Sequence, residues 1–392
     1  MITGFGRIKC GRLGLVKPWK NLTSRAGFPS LRAMKLALSL KSVRWSASMA
    51  LLLGWMAGAG CSTFPRSGTP APRRGDEIVA AGQFFHTGTR VVLWLDPGGY
   101  DGYRVQRRFA AFPDSGWDSS HATNKDLTSP NRYGLRQAGL TTNEIEAVRG
   151  GGWDLPLLQR TVDQFVLHFD VAGTSRRCFA VLQDDRGLSV HFMCDVDGTI
   201  YQTLDLKEEA WQATIANNRS VGIEIANMGA YGLNEKNPFA RWYQHQANGQ
   251  TLLTVPDAFG AAGIRTRGYA GHPARPEPVR GEIQGHELVQ YDYTPEQYQA
   301  LIKLTATLCQ IFPRLQCQFP ADARGRVIPH KLPDAELRNY HGVLGHYHIQ
   351  TNKVDPGPAF QWAYVIGGAR KILGADSCHP LLCPRQADNS AR

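Results

Sequence analysis

Acidic residues are absent from the first 60 residues of this 392-residue chain, a segment that holds ten lysines and arginines. Setting those ten aside leaves 34 of the 44 basic residues against 33 acidic ones. Because the body of the chain is almost neutral, the formal charge of +11 does not predict a surface for nucleic acid. With 42% hydrophobic and only 20% charged residues, the chain is predicted to bury a full core, which excludes a disordered protein.

The cysteines lack any C-x-x-C pair, and this absence disfavours a structural zinc site built from thiolates. Apart from Cys10 and Cys61 the chain contains six cysteines, an even number that fits disulfide bonds in an oxidising compartment. Six buried thiols are the alternative. Spacing favours three local pairs: Cys178 with Cys194, Cys309 with Cys317, and Cys378 with Cys383.

An apolar run from Met49 to Gly60 is too short to cross a bilayer as a helix but fits the core of a signal peptide. The run ends in Gly58-Ala59-Gly60-Cys61, which resembles the lipobox of bacterial lipoproteins, whose cysteine is acylated after cleavage. We therefore expect a lipidated Cys61 that anchors the protein in the outer membrane, facing the periplasm. Ordinary cleavage, which yields a soluble periplasmic or secreted protein, is the alternative.

Two segments alternate apolar and polar residues, as strands with one buried face do. In residues 164–171, His168 points away from the apolar face, and in residues 221–227 Glu224 does the same. Both side chains are therefore predicted to face a cleft. The faces predicted to enter the core consist of Phe165, Leu167, Phe169 and Val171 in the first segment and Val221, Ile223 and Ile225 in the second.

A helix is predicted to begin after Thr294, which forms a capping-box pattern with Gln297 and precedes a proline at the first helical position. Pro313 is predicted to end it. Strands and helices interleave without an internal repeat, so the predicted fold class is α/β of the α+β type, a mixed central sheet with helices packed on it. Residues 228–291 show no clear period, and we interpret them as an irregular functional insertion.

A turn-rich loop near the C-terminus places His346, Lys353 and Asp355 within ten residues of one another. Imidazole and carboxylate ligands suit zinc, and a nearby ammonium suits a reaction that develops negative charge. Together with His168, the loop would form a three-ligand zinc site with an open fourth position for water, which is the catalytic pattern. His348, two residues beyond His346, is a rival ligand.

Glu224 and Lys353 complete the predicted chemistry. Zinc is expected to lower the pKa of bound water to about 7. Glu224 would then act as the general base, and Lys353 would face the developing oxyanion. A single histidine on a strand is usually just hydrogen-bonded and a half-exposed glutamate is usually solvated, so the prediction depends on the combination of residues.

Four motifs, in the same order, resemble the type 2 N-acetylmuramoyl-L-alanine amidases, which share their fold with peptidoglycan recognition proteins. The resemblance covers residues 161–374, interrupted by 228–291. The motifs are His168 in its strand, the hairpin Val190-His-Phe-Met-Cys-Asp-Val-Asp-Gly-Thr-Ile-Tyr-Gln202, the strand Ser220-Val-Gly-Ile-Glu-Ile225, and His346 with Lys353 and Asp355-Pro-Gly-Pro358.

The resemblance implies a peptidoglycan recognition protein-like amidase fold, with His168, His346 and Asp355 as ligands of Zn²⁺. It implies that Glu224 and Lys353 are catalytic. The reaction implied is zinc-dependent hydrolysis of the amide between the lactyl group of N-acetylmuramic acid and L-alanine, in peptidoglycan or muropeptides, during cell-wall turnover or recycling. A noncatalytic peptidoglycan-binding lipoprotein of the same fold is the alternative, and such relatives typically lose a zinc ligand.

Two positions depart from the family pattern. Gln212 follows Trp211 where many members have a histidine, and an amide can form hydrogen bonds but cannot carry a proton. His348 stands where an aspartate is common, in a loop that is one residue shorter than in close relatives. Neither departure removes a predicted metal ligand.

These features together predict an ordered series of segments. The first 33 residues are interpreted as an over-extended start, with Met34 as the alternative first residue. The segments are a signal peptide at 1–60, a lipidated cysteine and flexible tether at 61–76, an N-terminal extension of unknown role at 77–160, a zinc amidase domain at 161–375 with the insertion at 228–291, and a tail at 376–392.

Overall fold

The computed structural model describes residues 67–116, 131–259 and 262–376. The account below concerns the unit that begins at Ala71. The predicted signal peptide, the lipidated Cys61 and the pair Cys378 and Cys383 lie outside the described residues. No helix within the described ranges combines the length and the apolar character that a bilayer-spanning helix needs.

Strands and α-helices of the described residues are numbered here in chain order. The strands are β1 (Glu77–Ala80), β2 (Gln83–His86), β3 (Val91–Leu93), β4 (Tyr133–Leu135), β5 (Gln164–Phe169), β6 (Phe192–Cys194), β7 (Ile200–Gln202), β8 (Glu208–Ala210), β9 (Ser220–Ile225), β10 (Ala230–Gly232), β11 (Tyr243–His245), β12 (Thr251–Leu253), β13 (Val279–Ile283), β14 (His286–Gln290) and β15 (Gly342–Gly345). The helices are α1 (Thr142–Arg149), α2 (Leu155–Thr161), α3 (Ser175–Ala180), α4 (Phe239–Trp242), α5 (Pro295–Ile311), α6 (Asp334–Asn339) and α7 (Trp362–Asp376).

A six-stranded mixed sheet organises the unit, in the order β15-β5-β9-β6-β7-β3. The pairs β15–β5, β5–β9, β9–β6 and β7–β3 are parallel, and β6–β7 is the antiparallel hairpin predicted around the Asp-Val-Asp-Gly turn. The predicted fold class, a mixed central sheet with helices packed on it, is confirmed. Residues 77–160 contribute β3 to the edge of this sheet and β4 to a pair with β8.

The two faces of the sheet have different neighbours. One face packs with α5 and α7 in the main core, which contains Phe165, Leu167, Val221, Ile223 and Ile225 as predicted. On the opposite face Val166 and Met193 belong to two separate, smaller clusters. Because side chains alternate along a strand, His168 and Glu224 also project on this second face.

Helix α5 begins and ends where the sequence predicted. Thr294 Oγ1 accepts the Gln297 backbone N–H, and the Gln297 side chain accepts the Thr294 backbone N–H, which completes the capping box. Pro295 occupies the first helical position, and the helix ends two residues before Pro313. These signals act within one helical turn, which explains why sequence alone located both ends.

The end of β5 differs from the prediction. The strand stops at Phe169, and Val171, predicted to face the core, has φ +52° and is 45% exposed. The reason is a side-chain-stabilised turn at Asp170, whose Oδ1 accepts the backbone N–H groups of Ala172 and Gly173 at 2.9 Å. Val171 thereby leaves the core and lines the rim of the cleft described below.

Residues 228–291, predicted to be irregular, contain α4 and the five strands from β10 to β14. Strands β10, β14 and β13 form one small sheet, and β11 pairs with β12. The prediction of irregular structure was wrong because most of these strands are only three residues long, too short to display a period of two.

The predicted pairing of Cys178 with Cys194 was also wrong. Both residues are free thiols, and they belong to different clusters on opposite faces of the sheet, Cys178 with α3 and Cys194 in the main core. Cys309 and Cys317 are free thiols as well, although contact with Cys317 raises the pKa of Cys309. Spacing in the sequence shows that Cys178 and Cys194 are near each other along the chain, but it does not show on which face of the sheet each thiol lies.

Candidate metal centre and catalytic cleft

His168 and Glu224 are direct neighbours in the parallel register of β5 and β9. Residues in register on adjacent strands project on the same face, so the two side chains enter the same cleft. His168 is buried, and Glu224 Oε2 is buried without a hydrogen-bond partner among the described residues. An unpartnered buried carboxylate oxygen is costly, which makes Glu224 a candidate for contact with a ligand.

The second part of the centre comes from the loop that follows β15. Because β15 lies beside β5, the carboxyl end of β15 places His346 next to His168. Asp355 completes the group at the other end of the loop. The Nδ1 atoms of His168 and His346 lie 3.0 Å apart, and they lie 2.8 and 3.0 Å from Asp355 Oδ2.

Two glutamines orient the imidazoles. Gln212 Oε1 lies 2.5 Å from His168 Nε2, and Gln350 Oε1 lies 2.6 Å from His346 Nε2. A side-chain amide oxygen only accepts hydrogen bonds, so both Nε2 atoms carry a proton, and in the neutral form of each ring the lone pair is on Nδ1. Gln212 Nε2 donates to Ser220 Oγ at 2.8 Å, which supports this orientation of its amide.

Three electron-pair donors therefore point at one another across about 3 Å, and this arrangement suits a cation between them. His168, His346 and Asp355 form one of two groups in the described residues that could hold a metal ion. The second group, Asp76, Glu77 and His86, is partly exposed, and its carboxylates already accept backbone N–H groups.

Charges in the centre influence one another. Burial raises the pKa of Glu224 well above its usual value; Asp355 and Asp170 add to this effect, and Lys353 and Arg186 oppose it. Burial by itself would raise the pKa of Asp355, but His346 and His168 outweigh this effect and hold the pKa of this carboxyl well below its usual range. Asp355 is therefore an anion, whereas Glu224 takes up a proton far more readily than a solvated glutamate does.

A cleft of about 260 Å³ opens over the centre. The predicted residues His168, Glu224, His346, Lys353 and Asp355 all line it. Lys353 is half-buried and forms no ion pair with a described residue, so its ammonium group is available to a bound molecule. The remaining walls include Asp170, Val171, Cys178, Arg186, Trp211, Gln212 and Asn352.

His348, the rival ligand, lies elsewhere. Its Nδ1 accepts the Gly345 backbone N–H at 2.8 Å, and its Nε2 donates to Ile328 O at 2.8 Å. Burial lowers the pKa of His348 to about 3, so the imidazole is neutral and fully engaged. The structure brings His346 rather than His348 to His168.

Sequence reasoning did not identify the second glutamine of the centre or the arginine in the cleft wall. Gln350 lies four residues after His346, a spacing that brings side chains together in a helical turn such as His346–His348, so a signal was present. Arg186 follows α3 at the end of a wide helical turn, Val181–Arg186, and no sequence signal marked it.

Comparison with known structures finds similar but distant proteins. A selenomethionine derivative of AmpD is 17% identical (TM-score 0.28), with 60% of this chain and 89% of that chain covered. AmiD from E. coli, in complex with the substrate anhydro-N-acetylmuramic acid-L-Ala-D-gamma-Glu-L-Lys, is 20% identical (0.27), with 53% and 57% covered. The endolysin amidase LysCS from Clostridium intestinale URNW is 14% identical (0.27), with 54% and 86% covered.

A comparison with family models gives the decisive result. No curated protein sequence matches this chain. The family model described as N-acetylmuramoyl-L-alanine amidase, Amidase_2, matches residues 158–358, about half of the chain. The matched range runs from α2 to the loop before α7 and includes the whole centre from His168 to Asp355. The chain therefore belongs to the N-acetylmuramoyl-L-alanine amidase family of enzymes.

Proposed function

We propose that this protein is a zinc-dependent hydrolase that cleaves the amide between the lactyl group of N-acetylmuramic acid and the L-alanine of a stem peptide. The observation that carries the proposal is the convergence of His168 Nδ1, His346 Nδ1 and Asp355 Oδ2 beside Glu224, a carboxylate with an unpartnered buried oxygen. Family membership supports the substrate class.

The donor set fits zinc. Two neutral imidazoles and one carboxylate are a known catalytic zinc ligand set, which leaves a position open for water or substrate. The hydrogen bonds from the imidazoles to Gln212 and Gln350 are of the kind that orient metal-binding histidines. When bound, zinc would polarise the scissile carbonyl and make water a better nucleophile at neutral pH.

The residues of the chain divide the remaining work. The Glu224 carboxylate takes a proton from the attacking water and delivers it to the leaving nitrogen of L-alanine, so the proton is conserved. The Lys353 ammonium, which lines the same cleft, stabilises the negative charge that develops on the carbonyl oxygen. Apolar walls formed by Val171, Val181 and Leu182 reduce solvation of the reacting groups.

The deciding experiment incubates purified protein with a soluble N-acetylmuramoyl-L-alanyl peptide, with and without a zinc chelator. Mass spectrometry should detect free N-acetylmuramoyl sugar and L-alanyl peptide only when metal is present. Tight binding of the peptide by zinc-loaded protein without any release would favour a noncatalytic peptidoglycan-binding lipoprotein instead. Parallel reactions with polymeric wall and with anhydro-muropeptides would separate turnover of the wall from recycling of its fragments.

We further propose that the protein acts in the cell envelope as an outer-membrane lipoprotein attached through Cys61. Only the sequence supports this proposal, namely the apolar run from Met49 to Gly60 and the small residues before Cys61. Labelled palmitate should enter the wild-type protein and not the Cys61→Ser variant, and Cys61→Ser should leave the membrane fraction. Absence of label in both proteins would favour ordinary cleavage and a soluble protein, and equal labelling of both would overturn the assignment of Cys61 as the lipidated residue.

A further inference from the structure

The turn between β13 and β14 touches the loop that carries the metal ligands. Gln284, at this turn, donates from Nε2 to Tyr347 O at 2.8 Å and to Gln350 O at 3.0 Å, and Lys353 O lies 3.4 Å away. These carbonyls belong to the stretch that joins His346 to Asp355. One side-chain amide therefore holds the backbone of the residue that orients His346 and of Lys353.

Gln284 itself is held from the opposite side. Its backbone N–H donates to Pro329 O at 2.8 Å, and its Oε1 accepts the Lys331 backbone N–H at 3.2 Å. Both the nitrogen and the oxygen of the side-chain amide therefore form hydrogen bonds. A side chain that only extended into solvent from a hairpin turn would not need this set of partners.

The backbone of Gln284 is in a conformation that glutamine rarely adopts. Its φ is +56°, followed by Gly285 at φ +78°, which makes a two-residue turn with both central residues left-handed. Asparagine or glycine is the favoured first residue of such a turn. Strained residues of this type persist where their side chain has a function that the local preference does not serve.

A second glutamine of the same hairpin forms hydrogen bonds with the chain that follows Asp355. Gln290, in β14, donates from Nε2 to Pro356 O at 3.0 Å and accepts the Ala359 backbone N–H at 2.9 Å. The chain passes so close that a Cβ on Gly357 would lie 2.2 Å from Gln290 Oε1. The hairpin thereby contacts the chain on both sides of Asp355, in residues 347–353 and in residues 356–359.

We propose that Gln284 is a positioning residue for the catalytic loop, and that residues 228–291 serve as a support for this loop. The inference rests on the proposed function of His346, Lys353 and Asp355. Gln284 does not line the cleft; it acts through the backbone of residues 347–353.

Gln284→Asn provides the test because it should stabilise the turn between β13 and β14 while removing the hydrogen bonds from this turn to the loop of residues 346–355. Asparagine suits the turn better, so the fold should be retained, but its side chain is one methylene too short to reach the three carbonyls. With zinc-loaded full-length protein and a soluble N-acetylmuramoyl-L-alanyl peptide, we expect kcat to fall about tenfold or more while KM changes by less than about threefold. Gln284→Glu keeps the length but loses the donor, and it should show the same loss.

Hydrogen exchange of the metal-free protein gives a readout that does not need activity. Amides of residues 347–354 should exchange about fivefold faster or more in Gln284→Asn, with β5 and β9 unchanged. The matched control is Ala81→Asn. Ala81 and Gly82 form the same type of two-residue turn, at φ +49° and +74°, between β1 and β2, so this control places an asparagine in such a turn away from the loop of residues 346–355.

Unchanged kcat and unchanged exchange in Gln284→Asn would overturn the inference. Faster exchange throughout β5 and β9, with a melting temperature more than about 5 °C below wild type, would also overturn it by showing a general structural role. If the wild type itself releases no product, the proposed function fails, and the exchange comparison still decides whether Gln284 positions the loop.

Discussion

Gln212 Oε1 lies 2.5 Å from Nε2 of His168, on the side of the ring opposite to the Nδ1 atom that faces His346 and Asp355. This contact gives a role to the residue that departs from the family pattern. As a hydrogen-bond acceptor, the amide fixes the histidine tautomer that a metal requires, and it needs no proton of its own to do so.

Loss of the Gln212 contact should weaken metal binding. We expect Gln212→Leu to lower the zinc affinity about 10- to 100-fold, measured by competition with a chromophoric chelator. Gly222→Ala should have a similar effect, because a Cβ there would lie 2.1 Å from Gln212 Oε1 and displace it. Ser220→Ala is the milder control, because it removes the hydrogen-bond partner of Gln212 Nε2 and leaves the contact between Gln212 Oε1 and His168 in place. Unchanged affinity in both Gln212→Leu and Gly222→Ala would contradict the orienting role.

Replacement of Glu224 should separate turnover from metal binding. Glu224→Gln is nearly isosteric and removes a carboxyl whose pKa burial raises, so the folded state should be at least as stable as wild type. We expect the zinc content to stay at the wild-type level and kcat to fall about 10²- to 10⁴-fold. Glu282→Gln, at an exposed position on β13, is the control for the change of charge. Loss of zinc from Glu224→Gln would argue against the general-base role.

Metal removal should destabilise the protein as well as inactivate it. A ligand that binds only the folded state stabilises it by about 2.7 kcal/mol when its concentration is 100 times Kd. Dialysis against a chelator should therefore lower the melting temperature, and added zinc should restore both the melting temperature and amide hydrolysis. His346→Ala should show neither response to zinc. A melting temperature that does not respond to zinc in the wild type would refute the assignment of this centre as a zinc site.

A buried histidine outside the group of metal ligands, His191, should make stability depend on pH. Burial and the nearby Arg136 guanidinium lower the pKa of His191 to about 3, from an ordinary value of 6.5. Below pH 6.5 the His191 imidazole binds a proton in the unfolded chain but stays neutral in the folded state. The free energy of unfolding therefore decreases as the pH is lowered from 6.5 to about 3. The slope from this one residue is up to about 1.4 kcal/mol per pH unit.

Denaturant titrations between pH 7 and pH 4 measure this slope. His191→Gln should flatten it by the share of one histidine, whatever the effect on stability at pH 7. His286→Gln, at an exposed position of β14, should leave the slope unchanged. An equal slope in wild type and His191→Gln would show that this imidazole is not held neutral.

Local interactions explain what the sequence predicted correctly. The start of α5 depends on Thr294, Pro295 and Gln297, which lie within one turn of each other, and the buried faces of β5 and β9 depend on strict alternation over six residues. Short strands below that length, as in residues 228–291, left no readable period. Alternation predicted that His168 and Glu224 face a cleft, and the family motifs added the roles of the site residues.

The sequence by itself determined the chemical groups of the centre, both ends of helix α5 and the family. Tertiary structure decided which groups meet. The order β15-β5-β9 brings His346 and Glu224 to the two sides of His168, and His348, only two residues away, turns into the protein instead. The physical reason is that strand order and loop closure depend on hydrogen bonds and packing between residues far apart in the chain, and no local pattern encodes these contacts.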